Sequence, residues 1–203
     1  MHISEGVVDI NWCIAGYGAA IPLAGLALWK TAEEDIPKIA VMSAAFFAAS
    51  LIHFPAGPSS AHLTLIGLTG IILGRQAPLA ILTGLLFQAI MFHHGGLTVL
   101  GVNMVIMSCC ALLTSILFSL TRRINRRSKV LSSIAGGVLS AVAVFMAALI
   151  VALLIWLSND QYGEMAAVFV VANGVVAAIE GVAAFLIIAQ LLRVKPDLIA
   201  GRI

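Results

Sequence analysis

The chain has 203 residues, 62% of them apolar and only 10% charged, with a formal net charge of +2. Soluble domains carry about 25% charged residues, so this chain cannot cover its apolar surface with water-facing groups. It reads as one all-α polytopic membrane domain spanning 1–203, because long apolar runs without strand-type alternation mean a helical bundle rather than a barrel.

Residues 1–11 precede the first apolar run and contain no Lys or Arg, so they do not resemble a secretory signal, and Met1 is expected to stay in place ahead of the bulky His2. Apolar runs then fall at about 12–29, 37–53, 61–74, 77–92, 97–120, 131–157 and 163–192. Most approach the ~20 residues that a bilayer core needs. The run 61–74 is short and could instead pair with 77–92 as a re-entrant hairpin. With seven alternating spans, all 11 basic residues fall on one side: Lys30 and Lys38, Arg75, the Arg122–Lys129 cluster, and Arg193, Lys195 and Arg202. The positive-inside rule makes that side cytoplasmic, with the amino terminus outside and the carboxyl terminus inside. This favours seven transmembrane helices over the hairpin, which would strand Arg75.

The five histidines take the opposite side: His2, His53, His62, His93 and His94. Glu5, Asp9, Asp160 and Glu164 join them. Imidazoles and carboxylates without competing cations welcome a cation. At the start of the chain, the Met1 α-amine, the His2 amide and a His2 ring nitrogen can close successive chelate rings on one ion. Flat nitrogen donor sets of this kind suit Ni(II), Cu(II) or Co(II). This marks 1–11 as a metal-binding segment that needs one further donor.

That donor is assigned to His62. Pro55, Gly57 and Pro58 end the second span and force a turn. Ser59 or Ser60 is expected to cap the next helix, which would place His62 in its first turn, where the dipole keeps imidazole neutral. His93 and His94 close the fourth helix before Gly95-Gly96, where the dipole favours the charged ring, so they read as entrance residues or as supports around the ion. His53 fits either role. Asn103 and Glu180 are polar within spans and need partners; Glu180 is expected to pair with Asn103 or Asn173, or to ligate metal itself. Gly16, Ala20 and Ala24 form a small-residue stripe for helix contact within the chain or with a partner, and Gly70 and Gly74 form a Gly-x-x-x-Gly. Cys13, Cys109 and Cys110 make no Cys-x-x-Cys and read as small apolar packers.

No phosphate-binding Gly-rich loop and no His-Glu-x-x-His occurs, so the chain is not expected to be an enzyme, and any ATP hydrolysis must be supplied by partners. A second reading is an ion- or proton-coupled secondary carrier that uses Glu180 and the outer histidines as a relay.

Met1-His2-Ile-Ser-Glu-Gly6 resembles the opening of the CbiM/NikM family, the cobalt and nickel substrate-binding membrane subunits of energy-coupling-factor importers. Pro-Ser-Ser-Ala-His62-Leu, the block Gly95-Gly96-Leu97-Thr98 through Asn103, Ile179-Glu180-Gly181 and Arg193-Val-Lys-Pro-Asp-Leu198 resemble further family blocks, in order. The resemblance implies seven helices in a prokaryotic cytoplasmic membrane. It also implies cobalt or nickel as transported substrate, held by the Met1 amine, the His2 amide and ring, and His62. The implied partners are a transmembrane coupling subunit that the Gly16–Ala20–Ala24 stripe would dock, cytoplasmic ATPases, often a small accessory membrane subunit, and the lipid bilayer, with no nucleic acid. Three departures stand out: Ser4 for Pro, His93-His94 for Gly-Asp, and Asn173 where many members have His.

Overall fold

The computed structural model describes residues 2–29, 31–56, 59–124, 128–158 and 163–199. Met1, Lys30, Gly57, Pro58, Arg126, Arg127, Asp160 and Arg202 lie outside the described residues. Helix α1 runs Ile10–Trp29, α2 Ile36–Ser50, α3 Ile66–Leu73, α4 Ala77–Phe92, α5 Leu100–Ile124, α6 Lys129–Ser158 and α7 Gly163–Val194. A two-stranded antiparallel ribbon, β1 (His53–Ala56) and β2 (Ser59–His62), stands between α2 and α3.

Among the described residues, five runs are long and apolar enough to cross a membrane: Ile10–Trp29, Ile66–Phe92, Leu100–Ile124, Lys129–Ser158 and Ala166–Val194. Their outward faces carry large apolar side chains, with Ile21 69%, Val171 72% and Val182 61% exposed, far more apolar surface than water tolerates. Trp12 and Trp29 near the ends of α1, and Trp156 near the end of α6, are exposed where interfacial aromatics sit. The protein is a multi-pass membrane protein.

Two expected spans are shorter than the sequence suggests. The run 37–53 forms a helix only to Ser50, because residues 53–56 pair with 59–62 as the ribbon. The run 61–74 yields a helix of 8 residues, about 12 Å long, and every one of them is buried. Its apolarity answers to protein neighbours rather than lipid.

Gly70 shows why: a Cβ there would lie 2.0 Å from the carbonyl oxygen of Ala111 on α5. Gly74, the other glycine of the motif, has φ +57° and turns the chain at the end of α3. A 3-10 turn, Gly74–Gln76, and Pro78 in the first turn then start α4. Gln76 donates to Asp35 at 2.5 Å, and Arg75, Lys38 and Asp197 line the same polar pocket. The opposite end of α2 leads to His53 and that of α4 to His93, so the bundle has a charged end and a histidine end.

The stripe on α1 is used inside the chain. Gly16 and Ala20 are buried, Ala24 packs against the core, and a Cβ on Gly16 would meet Val102 of α5 at 2.5 Å. Cys13 and Cys110 are buried packers, and Cys109 is exposed.

Candidate metal centre

The segment before α1 folds into the bundle as an extended strap. Asn103 on α5 grips it at Ile3: the Ile3 N–H donates to Asn103 Oδ1 at 2.7 Å, and Asn103 Nδ2 donates to the Ile3 carbonyl at 2.9 Å. Two residues on, the Glu5 N–H donates to the Gly95 carbonyl at 2.8 Å. Thr98 gives its N–H and its hydroxyl to Glu5 Oε1, each at 3.1 Å. Those two bonds, the backbone one first, hold the Glu5 carboxyl below its ordinary pKa. Ile3 is fully buried, which adds apolar anchorage.

This strap delivers His2, 2% exposed, beside His62, fully buried, with ring centres 4.7 Å apart. His62 does not occupy a helix turn. It ends β2, and α3 begins only at Ile66, after a left-handed Leu65 (φ 54°) that makes no side-chain cap. The expected serine cap and its dipole therefore do not act on His62. Its ring is kept neutral by burial, which pushes the pKa of both His62 and His2 well below the usual imidazole value.

The tautomer of His62 follows from its hydrogen bond to the backbone. Nδ1 lies 3.0 Å from the Leu63 carbonyl, which can only accept, so Nδ1 carries the proton. Nε2 then presents a bare lone pair, buried and with no hydrogen-bond partner. Leaving such a group unsatisfied costs about 1–3 kcal/mol, and an ion with imidazole affinity removes that cost. Among the described residues no three His, Cys, Asp or Glu side chains converge to hold a metal.

The loop after His62 is braced from α7. Thr64 donates its N–H to Glu180 Oε1, and its hydroxyl donates to the same oxygen at 3.0 Å. Glu180 thus pairs with Thr64, not with Asn103, which holds Ile3, nor with Asn173, whose Nδ2 donates to the Phe169 carbonyl at 2.8 Å. Glu180 Oε2 and Asn173 Oδ1 are buried without hydrogen-bond partners.

His93 closes α4 in the left-handed region (φ 53°), its N–H donating to the Gln88 carbonyl, and its side chain stays exposed. His94 turns inward and lines a small cleft with His2, Gly95, Gly96 and Asn103. Its ring centre is 6.2 Å from that of His2 and 4.9 Å from that of His53. The charged ring expected of His94 is disfavoured: burial first, and the neighbouring His53 second, lower its pKa. Thr64, Thr98 and the ribbon were not visible as site elements in the sequence; the hydroxyl two residues past His62 was the available signal for the first.

Residues 2–198 match the family described as the cobalt uptake substrate-specific transmembrane region, CbiM. A putative metal transport protein of Haemophilus influenzae is 39% identical over 143 residues, 68% of each chain. The cobalt transport protein CbiM of Thermosediminibacter oceani is 44% identical over 112 residues, 51% of this chain and 46% of that one. The putative cobalt transport protein CbiM 2 of Methanocorpusculum labreanum is 30% identical over 214 aligned residues, 98% of this chain and 92% of that one. The crystal structure of a transition metal transporter shares the fold, with TM-score 0.81 at 23% identity over 97% of this chain and 94% of that one. With its family pattern running almost end to end, the chain belongs to the CbiM family of cobalt uptake membrane components and is a transporter component rather than an enzyme.

Proposed function

We propose that the chain is the substrate-binding membrane subunit of an energy-coupling-factor importer and captures Co(II) or Ni(II) as cargo. The donors are the Met1 amine, the His2 amide and ring nitrogens, and His62 Nε2. The observation that carries this reading is the buried lone pair of His62 Nε2 facing no protein partner, in a ring 4.7 Å from that of His2. Metal–imidazole bonds of about 2.0–2.1 Å put a ring centre about 3.2 Å from the ion, so two rings held cis on one ion have centres about 4.5–5.2 Å apart. The His2–His62 spacing fits a cis pair. The His2–His94 spacing of 6.2 Å does not.

In this reading the seven helices α1–α7 lie in a prokaryotic cytoplasmic membrane, with the short α3 crossing only part of its thickness and buried by its neighbours. The histidine end and amino terminus face outward, and the basic end faces the cytoplasm, in keeping with the positive-inside rule. A transmembrane coupling subunit, ATPase subunits and in some assemblies a small accessory membrane subunit supply the energy. Their contacts fall away from Gly16 and Ala20, which pack on α5 and the core.

The test is metal binding by the purified chain. Wild type should retain Co(II) or Ni(II) with the d–d band of a flat nitrogen site. Inserting one residue between Met1 and His2, or His62→Ala, should abolish the band while helical content is kept. A band that survives either change refutes the donor set. Uptake into liposomes by this chain alone, without ATP, refutes the importer reading in favour of a secondary carrier.

A further inference from the structure

We infer that His53 and His94 form a second, outer cation site, a two-imidazole landing for a borderline divalent ion on its way to His2 and His62. This rests on the reading of the inner site above and adds to it a separate binding step.

The two rings have centres 4.9 Å apart and planes at 71°. That spacing lies within the range of about 4.5–5.2 Å for two imidazoles cis on one ion. His53 Nδ1 lies 3.1 Å from the Leu51 carbonyl and so carries the proton, which leaves its Nε2 as the lone-pair nitrogen. Water fills the remaining positions on an ion held by only two protein nitrogens, so the ion is bound weakly and released quickly. Imidazole donors favour Ni(II), Co(II), Cu(II) and Zn(II) over Mg(II) and Ca(II).

The fold links this pair to the inner one. His53 and His62 are register partners across the β1–β2 ribbon, so one ribbon end carries one ring of each pair. The left-handed His93 turns the chain so that His94 lies between His53 and His2. The ring centres step inward by 4.9, 6.2 and 4.7 Å, from exposed His53 through half-buried His94 to buried His2 and His62. The middle step is too long for one ion to be shared cis, and in the donor set proposed above the position trans to the His2 ring belongs to the Met1 amine, so the two pairs are distinct sites.

The experiment counts Ni(II) bound per chain by equilibrium dialysis and follows loading by stopped-flow at the d–d band, using the full chain in detergent. Wild type should bind one ion tightly and a second more weakly. His94→Gln and His53→Gln should each lose the weaker ion and slow loading by about tenfold, the order expected when a local charge-concentrating site is removed. His62→Ala should lose the tight ion and keep the weaker one. Since His53 is exposed, its variant tests the pair even if the loop carrying His94 is perturbed. The inference is overturned if both glutamine variants keep the weaker ion, if they load at the wild-type rate, or if His94→Gln loses the tight ion. A tight ion retained by His62→Ala would instead overturn the inner site and leave the outer pair standing.

Discussion

Asn103 and Ile3 exchange two hydrogen bonds across 100 residues of sequence, side-chain amide to backbone amide, one residue past His2. The pairing has the geometry of a strand ladder made by one side chain. It fixes the register of the strap, and a one-residue slip would carry His2 away from His62.

Asn103→Ala should therefore weaken metal binding without unfolding the bundle. Losing both bonds leaves the Ile3 backbone groups buried and unpaired, at about 1–3 kcal/mol each. Titration of Co(II) should show an affinity about 10–100-fold lower, with helical circular dichroism unchanged. Asn103→Asp keeps an acceptor for the Ile3 N–H but loses the donor, and should fall between the two.

Glu180 separates bracing from proton relay. Glu180→Ala removes the acceptor for the Thr64 N–H and hydroxyl, frees the loop that carries His62, and should lower metal affinity about 10–100-fold. Glu180→Gln keeps a carbonyl oxygen there and should restore most of it. A carrier using Glu180 as its proton site would instead lose function equally in both variants, as read by proton-coupled uptake.

Acidification should release the strap from the metal-free protein. The His2 pKa is depressed in the folded strap, so below the ordinary imidazole pKa of about 6.5 the opened segment takes up a proton that the docked one refuses. Docking is at full strength above that value and is lost as pH falls from there through the depressed pKa. Hydrogen-exchange protection factors at residues 2–5, which allow for the intrinsic slowing of exchange in acid, should fall as the pH drops below about 6.5 in the metal-free protein. A bound ion should suppress the change, because a coordinated nitrogen cannot be protonated.

Glycine substitutions should sort by what a methyl group meets. A Cβ on Gly96 would fall 2.1 Å from Glu5 Cγ at φ +110°, so Gly96→Ala should dislodge Glu5 from Thr98 and lower metal affinity while sparing the helices. Gly70→Ala meets backbone on α5 and should lower the thermal midpoint sharply. Gly18→Ala and Gly25→Ala, with nothing within 4 Å, should change neither reading.

The membrane class, the gathering of histidines at one end and the nearness of His62 to His2 were legible in the sequence, because charge segregation is a compositional signal. The reason for the neutrality of His62 was not. Local rules read Pro-Ser-Ser before an apolar run as a helix start, yet the chain pairs His53 with His62 across a ribbon and delays the helix to Ile66. The contact that holds this loop comes from Glu180, 116 residues on from Thr64. Asn103 and Glu180 were recognisable as polar groups in need of partners, but a partner that is backbone, as Ile3 is, leaves no mark in the sequence. The run 61–74 misled for a related reason: burial by protein and burial by lipid demand the same apolar side chains.

The wholly buried α3 makes the candidate site a product of tertiary packing. Eight residues make a helix of about 12 Å, less than half of the ~30 Å of a bilayer core, so lipid alone gives this segment no fixed depth. Its place is set where α6 and α5 receive Gly67 and Gly70, at Ser140 and Ala111. The loop bearing His62 runs directly into this helix. A change that loosens α3 from α5 or α6 therefore reaches His62 without touching any residue of the candidate centre.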